Sequence, residues 1–519
     1  MCETVQDGVG NAARHMPYRS ECPIFILPKH RPDMRTILLL LILTGLHAKA
    51  QQRSPNIVFI LADDLGIGDV HALNPEGKIP TPHIDRIAEA GLRFTDAHSP
   101  SSVCTPTRYG ILTGRYAWRT RLKSNVLVAY DPPLLEDDRT TLPAMLKRKG
   151  YATAAFGKWH LGLQWATTDG KAPVDKPEAH NLRYEAPIHG GPLDRGFDTF
   201  FGMDAPNYPP YAFIEQRHLR GRPDSFYPRQ PYRDCRPGTG VRPWNLEEIL
   251  PSLKTHAVDY IRSAASSRKP FFLYLPLTGP HTPIAPSLAF KGRSGLNAYA
   301  DFVMEVDDLV GAVLDALRSS GQWDNTIVVF TADNGCSPEA DFAFLKRQGH
   351  RPSGIFRGHK ADIFEGGHRI PLLVQWPARI PSNRSVAQTV CLTDFMATFA
   401  TLTGYRLRSN EAEDSYDILP LLIDPTLQKP IREATVHHSY LGDFAIRQGR
   451  WKLILTPGSG GWSFPIKAED LQGLPAVQLY DLEADPGETM NLQGKFPETV
   501  KHLSSLLDAY KASSRSVTR

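Results

Sequence analysis

Ile57-Val58-Phe59-Ile60-Leu61-Ala62-Asp63-Asp64 is a run of six apolar residues closed by two carboxylates. A continuous apolar run of this length reads as a strand buried on both faces, the kind found in parallel sheets covered by helices. Three further segments repeat the plan. Tyr151–Phe156 runs into Gly157-Lys158-Trp159-His160, Phe271–Leu277 into Gly279-Pro280-His281, and Thr326–Ala332 into Asp333-Asn334. Each buried-type strand delivers chemically capable polar residues at its C-terminal end. In open α/β sheets that edge is where ligands bind. One such residue alone is more often a turn or a helix cap; four together predict a shared site.

Helical patterns fill the gaps. Ile84–Ala90 has helical spacing and stops at Gly91, and Leu142–Lys149 precedes the second strand. Tyr299–Leu317 sets Phe302, Val306, Leu309, Val313 and Leu317 along one stripe. The expected fold class is α/β, a large and mostly parallel or mixed central sheet flanked by helices. His180–Trp244, rich in Pro, Gly, Arg and Tyr, reads as long irregular loops over the sheet edge that shape a pocket. Beyond residue 430 the character changes. Ala445–Leu455 and Val477–Leu482 read as antiparallel strands, with Gly458–Gly461 between them and Phe496–Tyr510 as a closing helix. The chain thus divides into a large domain over 51–430, which carries the strand-end residues, and a smaller C-terminal α+β subdomain with an antiparallel sheet over 431–519.

The 519 residues are 41% hydrophobic and 22% charged, enough to bury a large core, with a formal net charge of +4. So small an excess excludes nucleic-acid binding by bulk electrostatics, and anion recognition has to be local. Ile37–Leu43 is wholly apolar, follows Met34-Arg35 and precedes Ala48-Lys49-Ala50. A basic start, a short apolar run and a small-x-small exit describe a secretory signal peptide over 34–50, cleaved near Ala50, with 1–33 an upstream extension outside the mature protein. The run is too short to span a bilayer, so no stable membrane insertion is expected. The exported chain keeps Cys104, Cys235, Cys336 and Cys391, too few for a disulfide scaffold, and no pairing is readable.

Asp63, Asp64, Asp333 and Asn334 offer three carboxylates and an amide carbonyl. These are hard oxygen ligands that suit Ca²⁺ or Mg²⁺ better than zinc. Each acidic pair could instead cap a following helix; the second pair is what favours a cation. Cys104 opens Cys104-Thr105-Pro106-Thr107-Arg108, with Pro106 suited to the first turn of a helix and Gly114 to its end. A residue at a helix N-terminus faces exposed N–H groups and the positive end of the dipole, so the position favours an anion. Arg108 lies one turn later on the same face. The plain alternative for Cys104 is a buried structural thiol.

Cys104-Thr105-Pro106-Thr107-Arg108 with the following Leu112-Thr113-Gly114-Arg115 resembles the signature of the type I, formylglycine-dependent, arylsulfatase-like sulfatases of the alkaline phosphatase superfamily. Asp63-Asp64, Gly157-Lys158-Trp159-His160-Leu161-Gly162, Gly279-Pro280-His281-Thr282-Pro283, Thr331–Gly335 and Gly358-His359-Lys360 match that family's motifs in its order, over residues 54 to 490. The resemblance implies an alkaline phosphatase-like fold and hydrolysis of sulfate esters. It implies that a separate maturation enzyme oxidises Cys104 to Cα-formylglycine. The aldehyde hydrate carries two hydroxyls on one carbon: one attacks sulfur to form a covalent sulfate ester, and proton loss from the other expels sulfate. By the same resemblance, Asp63, Asp64, Asp333, Asn334 and the modified Cys104 hold one divalent cation, Ca²⁺ with Mg²⁺ as the alternative. Arg108 and Lys158 steady the hydrate, His160 partners its second hydroxyl, and His281 and Lys360 bind the sulfate, His281 protonating the leaving alcohol.

The expected substrate is a sulfated carbohydrate. The chain resembles exported bacterial enzymes, periplasmic or extracellular. Asp333–Asp341, Gly349–Ser353, Phe356–Asp362 and Gly366-Gly367-His368-Arg369 resemble bacterial sulfatases acting on galactose or N-acetylgalactosamine, with the 6-O-sulfate favoured. The last element reads as architectural, with His368 touching substrate as the lesser reading. Asp204, Asn207, Tyr208, His218 and Arg220 are the loop residues expected to set specificity. The rival readings are a phosphodiesterase or phosphonate hydrolase of the same superfamily, and a catalytically silent sulfoglycan-binding protein.

Overall fold

The computed structural model describes residues 54–173, 179–228 and 234–518. The expected upstream extension and signal peptide lie outside the described residues. At the centre is a ten-stranded mixed sheet. Its four inner strands are those legible in the sequence, in the order Thr326–Ala332, Asn56–Ala62, Phe271–Pro276 and Ala152–Lys158, all parallel. Every residue of Thr326–Ala332 and all but the first of Asn56–Ala62 are buried, so helices must cover both faces. One layer packs Ile249–Ala264, Ala298–Ser319 and Pro82–Ala90 together. The other holds Cys104–Thr113, Leu142–Arg148 and Phe395–Thr403, with Phe59 of the sheet meeting Phe395 edge-on at 5.0 Å between ring centroids. The stripe Phe302, Val306, Leu309, Val313 and Leu317 is buried as its spacing requires.

Register decides where the chemistry goes. Ala62 lies opposite Ala332, so Asp63 and Asp333 leave the sheet side by side. Asp333 N–H donates to the Ala62 carbonyl at 3.1 Å, and Asp63 N–H to that of Gly279 at 3.0 Å. The strand ends are thereby laced together before any side chain contributes.

Flanking strands complete the sheet, and two segments depart from the sequence reading. Within the segment expected to be irregular loops, Thr199–Met203 is a strand parallel to Ala152–Lys158, and Ile214–Glu215 and His218–Leu219 extend the sheet as a hairpin. Phe200, Phe201 and Met203 are buried there, a short apolar run hidden among Pro and Gly. Leu372–Gln375 joins antiparallel to Thr326–Ala332. Ala445–Leu455 is two strands, Phe444–Gln448 and Trp451–Ile454, turned back at Gly449 with φ of 56°. These pair with Thr435–His438 and Gln478–Asp481 in a four-stranded antiparallel sheet, backed by the Pro497–Ala512 helix through Leu503 and Leu507.

Candidate active site

Cys104 is the first residue of the Cys104–Thr113 helix, whose residues are all buried. Pro106 sits in the first turn, where no backbone N–H is needed. Gly114 ends the helix at φ of 63°, donating to the Gly110 carbonyl at 2.8 Å. Val103 before the helix provides no side-chain cap. The helix start is therefore open to an anionic partner at Cys104. Burial pushes the Cys104 thiol up, against the pull of Lys158 and Lys360, so the thiol itself is a poor nucleophile.

Around it stand the expected carboxylates. Asp63 Oδ2 accepts from Lys158 Nζ at 2.7 Å and lies 3.4 Å from an Arg108 nitrogen. Arg108 forks onto Asp333 Oδ2 through Nε at 3.0 Å and Nη2 at 2.7 Å, and donates to the Lys158 carbonyl at 2.9 Å. Asp333 Oδ1 accepts the Asp64 N–H at 3.2 Å. Asp64, at φ of 62°, accepts from Asn334 Nδ2 at 2.7 Å and from Lys360 Nζ at 2.7 Å. Asp63, Asp64, Asp333, Arg108 and Lys158 are all 0–1% exposed. Burying charges in this way is tolerable because three carboxylates meet three cations.

The residues fit a divalent cation. Asp63 Oδ1 and Asn334 Oδ1 are buried and have no hydrogen-bond partner. Unpaired buried oxygens are costly, and two at adjoining strand ends call for a hard cation. Burial, with the neighbouring Asp63 and Asp333 charges, pushes the Asp64 carboxyl up to about 7 against the pull of Lys360. Burial and Asp63 likewise raise Asp333. Burial raises Asp63 too, but Lys158, His281 and Arg108 outweigh it and hold its carboxyl well down.

The histidines complete the ring. His160 Nδ1 lies 3.2 Å from Cys104 Sγ, while Nε2 meets the Leu127 carbonyl at 2.8 Å. That carbonyl fixes the tautomer: Nε2 carries the proton and Nδ1 turns a lone pair on position 104. His281 Nδ1 is bonded to the Thr282 carbonyl, and Nε2 stands 3.6 Å from Asp64 Oδ2. Together Asp63, Asp64 and His281 could hold a metal ion, so the histidine expected at the sulfate also lies within reach of the cation. Cys104, His160, His281 and Lys360 open on one cavity of about 220 Å³. Two larger hollows, of about 700 and 570 Å³, lie elsewhere and contain none of these groups.

The loop residues expected to set specificity divide. Asn207 and Tyr208 line the cavity. Asp204 does not; its carbonyl accepts the His160 N–H at 2.9 Å from behind. His218 and Arg220 are exposed on or beside the edge hairpin, away from the cavity. His368 is fully buried against His437, with ring centroids 3.8 Å apart, and does not line the active-site cavity. Its element is architectural because Glu365, four residues before Arg369, pairs with Arg369 and Lys452 and ties the two sheets together. The sequence reading missed Arg236, Glu339, Tyr440 and Trp462, all on the cavity wall. No local pattern marks them: Arg236, Tyr440 and Trp462 come from loops brought in by long-range packing, and Glu339 from a short helical turn just past Asn334.

The family model described as Sulfatase matches residues 55–405. The chain belongs to the sulfatase family. This sulfatase is 33% identical to N-acetylgalactosamine-6-O-sulfatase of Bacteroides thetaiotaomicron, over 91% of this chain and 97% of that one. It is 33% identical to arylsulfatase A of Homo sapiens, over 90% and 89% of the two chains. A solved Bacteroides thetaiotaomicron sulfatase, described in connection with the metabolism of multiple glycosaminoglycans, superposes with a TM-score of 0.77 at 31% identity, covering 89% of this chain and 100% of that one. The chain is thus a sulfuric ester hydrolase with the alkaline phosphatase-like fold. Among the described residues no helix is long and apolar enough to cross a membrane.

Proposed function

We propose that this sulfatase is an exported enzyme that removes 6-O-sulfate from galactose or N-acetylgalactosamine units of a glycan. The observation that carries the reaction is the convergence of Cys104, His160, His281 and Lys360 on one cavity, beside the unpaired oxygens of Asp63 and Asn334. The likeness to an N-acetylgalactosamine-6-O-sulfatase along nearly the whole chain supports the substrate.

In this reading Cys104 is oxidised to Cα-formylglycine by a transient maturation enzyme, and the hydrated aldehyde supplies the nucleophilic oxygen that a buried thiol does not. Asp63, Asp64, Asp333, Asn334 and residue 104 would hold Ca²⁺, which would supply Lewis acidity at the site and offset sulfate charge. Arg108 and Lys158 hold the carboxylates in place and add positive potential beneath residue 104. His160 accepts a proton at Nδ1 from the group at position 104. Lys360 binds sulfate oxygens, and His281, whose Nδ1–H is held by the Thr282 carbonyl, takes up at Nε2 the proton that the attacking hydroxyl releases and passes it to the departing alcohol.

The test is release of inorganic sulfate from N-acetylgalactosamine 6-sulfate, its 4-sulfate and galactose 6-sulfate. The proposal predicts turnover of the 6-sulfates well above the 4-sulfate. Preference for the 4-sulfate, or for a non-sugar sulfate over all three, would contradict it.

A further inference from the structure

Trp462 comes from the loop between the last two strands of the C-terminal sheet, yet its side chain lines the active-site cavity. It is 37% exposed, a large aromatic surface left open at the mouth of a cavity whose floor is charged. An indole open at a cavity mouth offers an apolar body with a polar N–H at its edge, a surface enriched where molecules meet. Its ring lies 5.9 Å from Lys360 Nζ and 5.4 Å from the Tyr440 ring.

The loop is fastened at the segment that carries Lys360. Trp462 N–H and Ser463 N–H each donate to Asp362 Oδ1 at 2.9 Å, and the Ser463 hydroxyl bonds Asp362 Oδ2. Ile363 N–H donates to the Ser459 carbonyl at 2.7 Å, and Tyr440 N–H to that of Ala361 at 3.0 Å. Gly461 approaches so closely that a Cβ would meet the Ala361 carbonyl at 2.4 Å. The glycine-rich stretch Gly458–Gly461 thus permits a backbone contact that side chains would forbid. The loop backbone is thereby fixed to the segment that carries Lys360, and the indole beside Lys360 stays partly exposed at the cavity.

We propose that Trp462 is a specificity-determining residue, a platform on which the apolar face of the sulfated sugar ring packs while Lys360 holds the sulfate. This rests on the glycan reading above. A pyranose presents a face of C–H groups that complements the indole π surface, whereas a sulfate ion alone has nothing to place there. Trp462 therefore contributes to binding the leaving group and not to binding sulfate.

The experiment compares wild type, Trp462→Ala and Trp462→Phe, measuring kcat and KM on N-acetylgalactosamine 6-sulfate and inhibition by inorganic sulfate. The expected result is a KM raised by about tenfold or more in Trp462→Ala, the scale of a lost aromatic contact, with sulfate inhibition unchanged and much of the loss restored in Trp462→Phe. An unchanged KM would overturn the role of Trp462 alone. Parallel weakening of sulfate inhibition would show that the indole merely supports Lys360, and would also overturn it. A wild-type enzyme that hydrolyses 4-nitrophenyl sulfate but no sugar sulfate would overturn the glycan reading itself, and this role with it.

Discussion

His160 Nδ1 lies 3.2 Å from Cys104 Sγ while the opposite ring nitrogen is committed to the Leu127 carbonyl. The imidazole is buried and flanked by Lys158 and Arg108; burial first, then those charges, depress its pKa well below the usual histidine value. It is therefore a neutral ring with its lone pair turned on the residue proposed to become the nucleophile.

His160→Ala should lower kcat on a sulfate ester by about 10²- to 10⁴-fold, the range for loss of a positioned acid–base group, with a smaller change in KM. Equal activity in the variant would remove His160 from the proton inventory.

Cation removal should be visible without assaying turnover. The unpaired oxygens of Asp63 and Asn334 predict that chelation lowers the thermal midpoint and that Ca²⁺ restores it. Saturation at a hundred times Kd stabilises by about 2.7 kcal/mol. In Asn334→Ala the recovery should require more Ca²⁺. A midpoint indifferent to chelator and cation in the wild type would contradict the ligand assignment.

A second buried cluster predicts acid lability. His98 Nδ1 lies 3.0 Å from His368 Nδ1, and the His368 and His437 rings stack. The charges packed against them are Asp96, Glu365 and Glu488 on one side of the balance and Arg369, Arg447 and Lys452 on the other. Burial depresses the His98 pKa to about 4 and those of His368 and His437 well below the ordinary value. A histidine held neutral in the fold but free to protonate when unfolded costs nothing at pH 7. It withdraws stability as pH falls below the unfolded value of about 6.5, down to the folded value. His98 alone accounts for a loss of about 3 kcal/mol across that window. His437 Nε2 has no partner and Nδ1 meets only the Ser99 carbonyl at 3.3 Å, so His437→Phe gives up one long hydrogen bond, should fold at pH 7 and should show a shallower loss of thermal midpoint between about pH 6.5 and 4. An identical slope in the variant would exclude His437 as a contributor.

Close backbone approach at a strand end predicts a further effect. Gly157, next to Lys158, has φ of 136°, and a Cβ there would meet the Pro276 carbonyl oxygen at 1.8 Å. Gly157→Ala should destabilise by about 1–3 kcal/mol or more and reduce kcat by displacing Lys158. A variant as stable and active as wild type would show that the strand end yields at no cost.

The inner sheet was legible because four apolar runs each end in polar residues, and the parallel register turns those ends into one site. The long Ala298–Ser319 helix was legible through its stripe. Thr199–Met203 was hidden because five residues amid Pro and Gly carry too short a period to read. The Phe444–Ile454 hairpin was read as one strand because Gln448-Gly449-Arg450-Trp451 interrupts its apolar pattern for too few residues. Trp462 illustrates the remaining difficulty: contacts across distant parts of the chain place it at the cavity, which no local spacing records.

The central claim is that Cys104 is the precursor of the nucleophile. Mass spectrometry of the peptide spanning Val103 to Arg108, taken from a preparation that releases sulfate, tests it most directly. The predicted result is a residue 104 in which sulfur and two hydrogens have been replaced by one oxygen, in proportion to activity. A preparation that turns over sulfate esters with an unaltered thiol at Cys104 would contradict it.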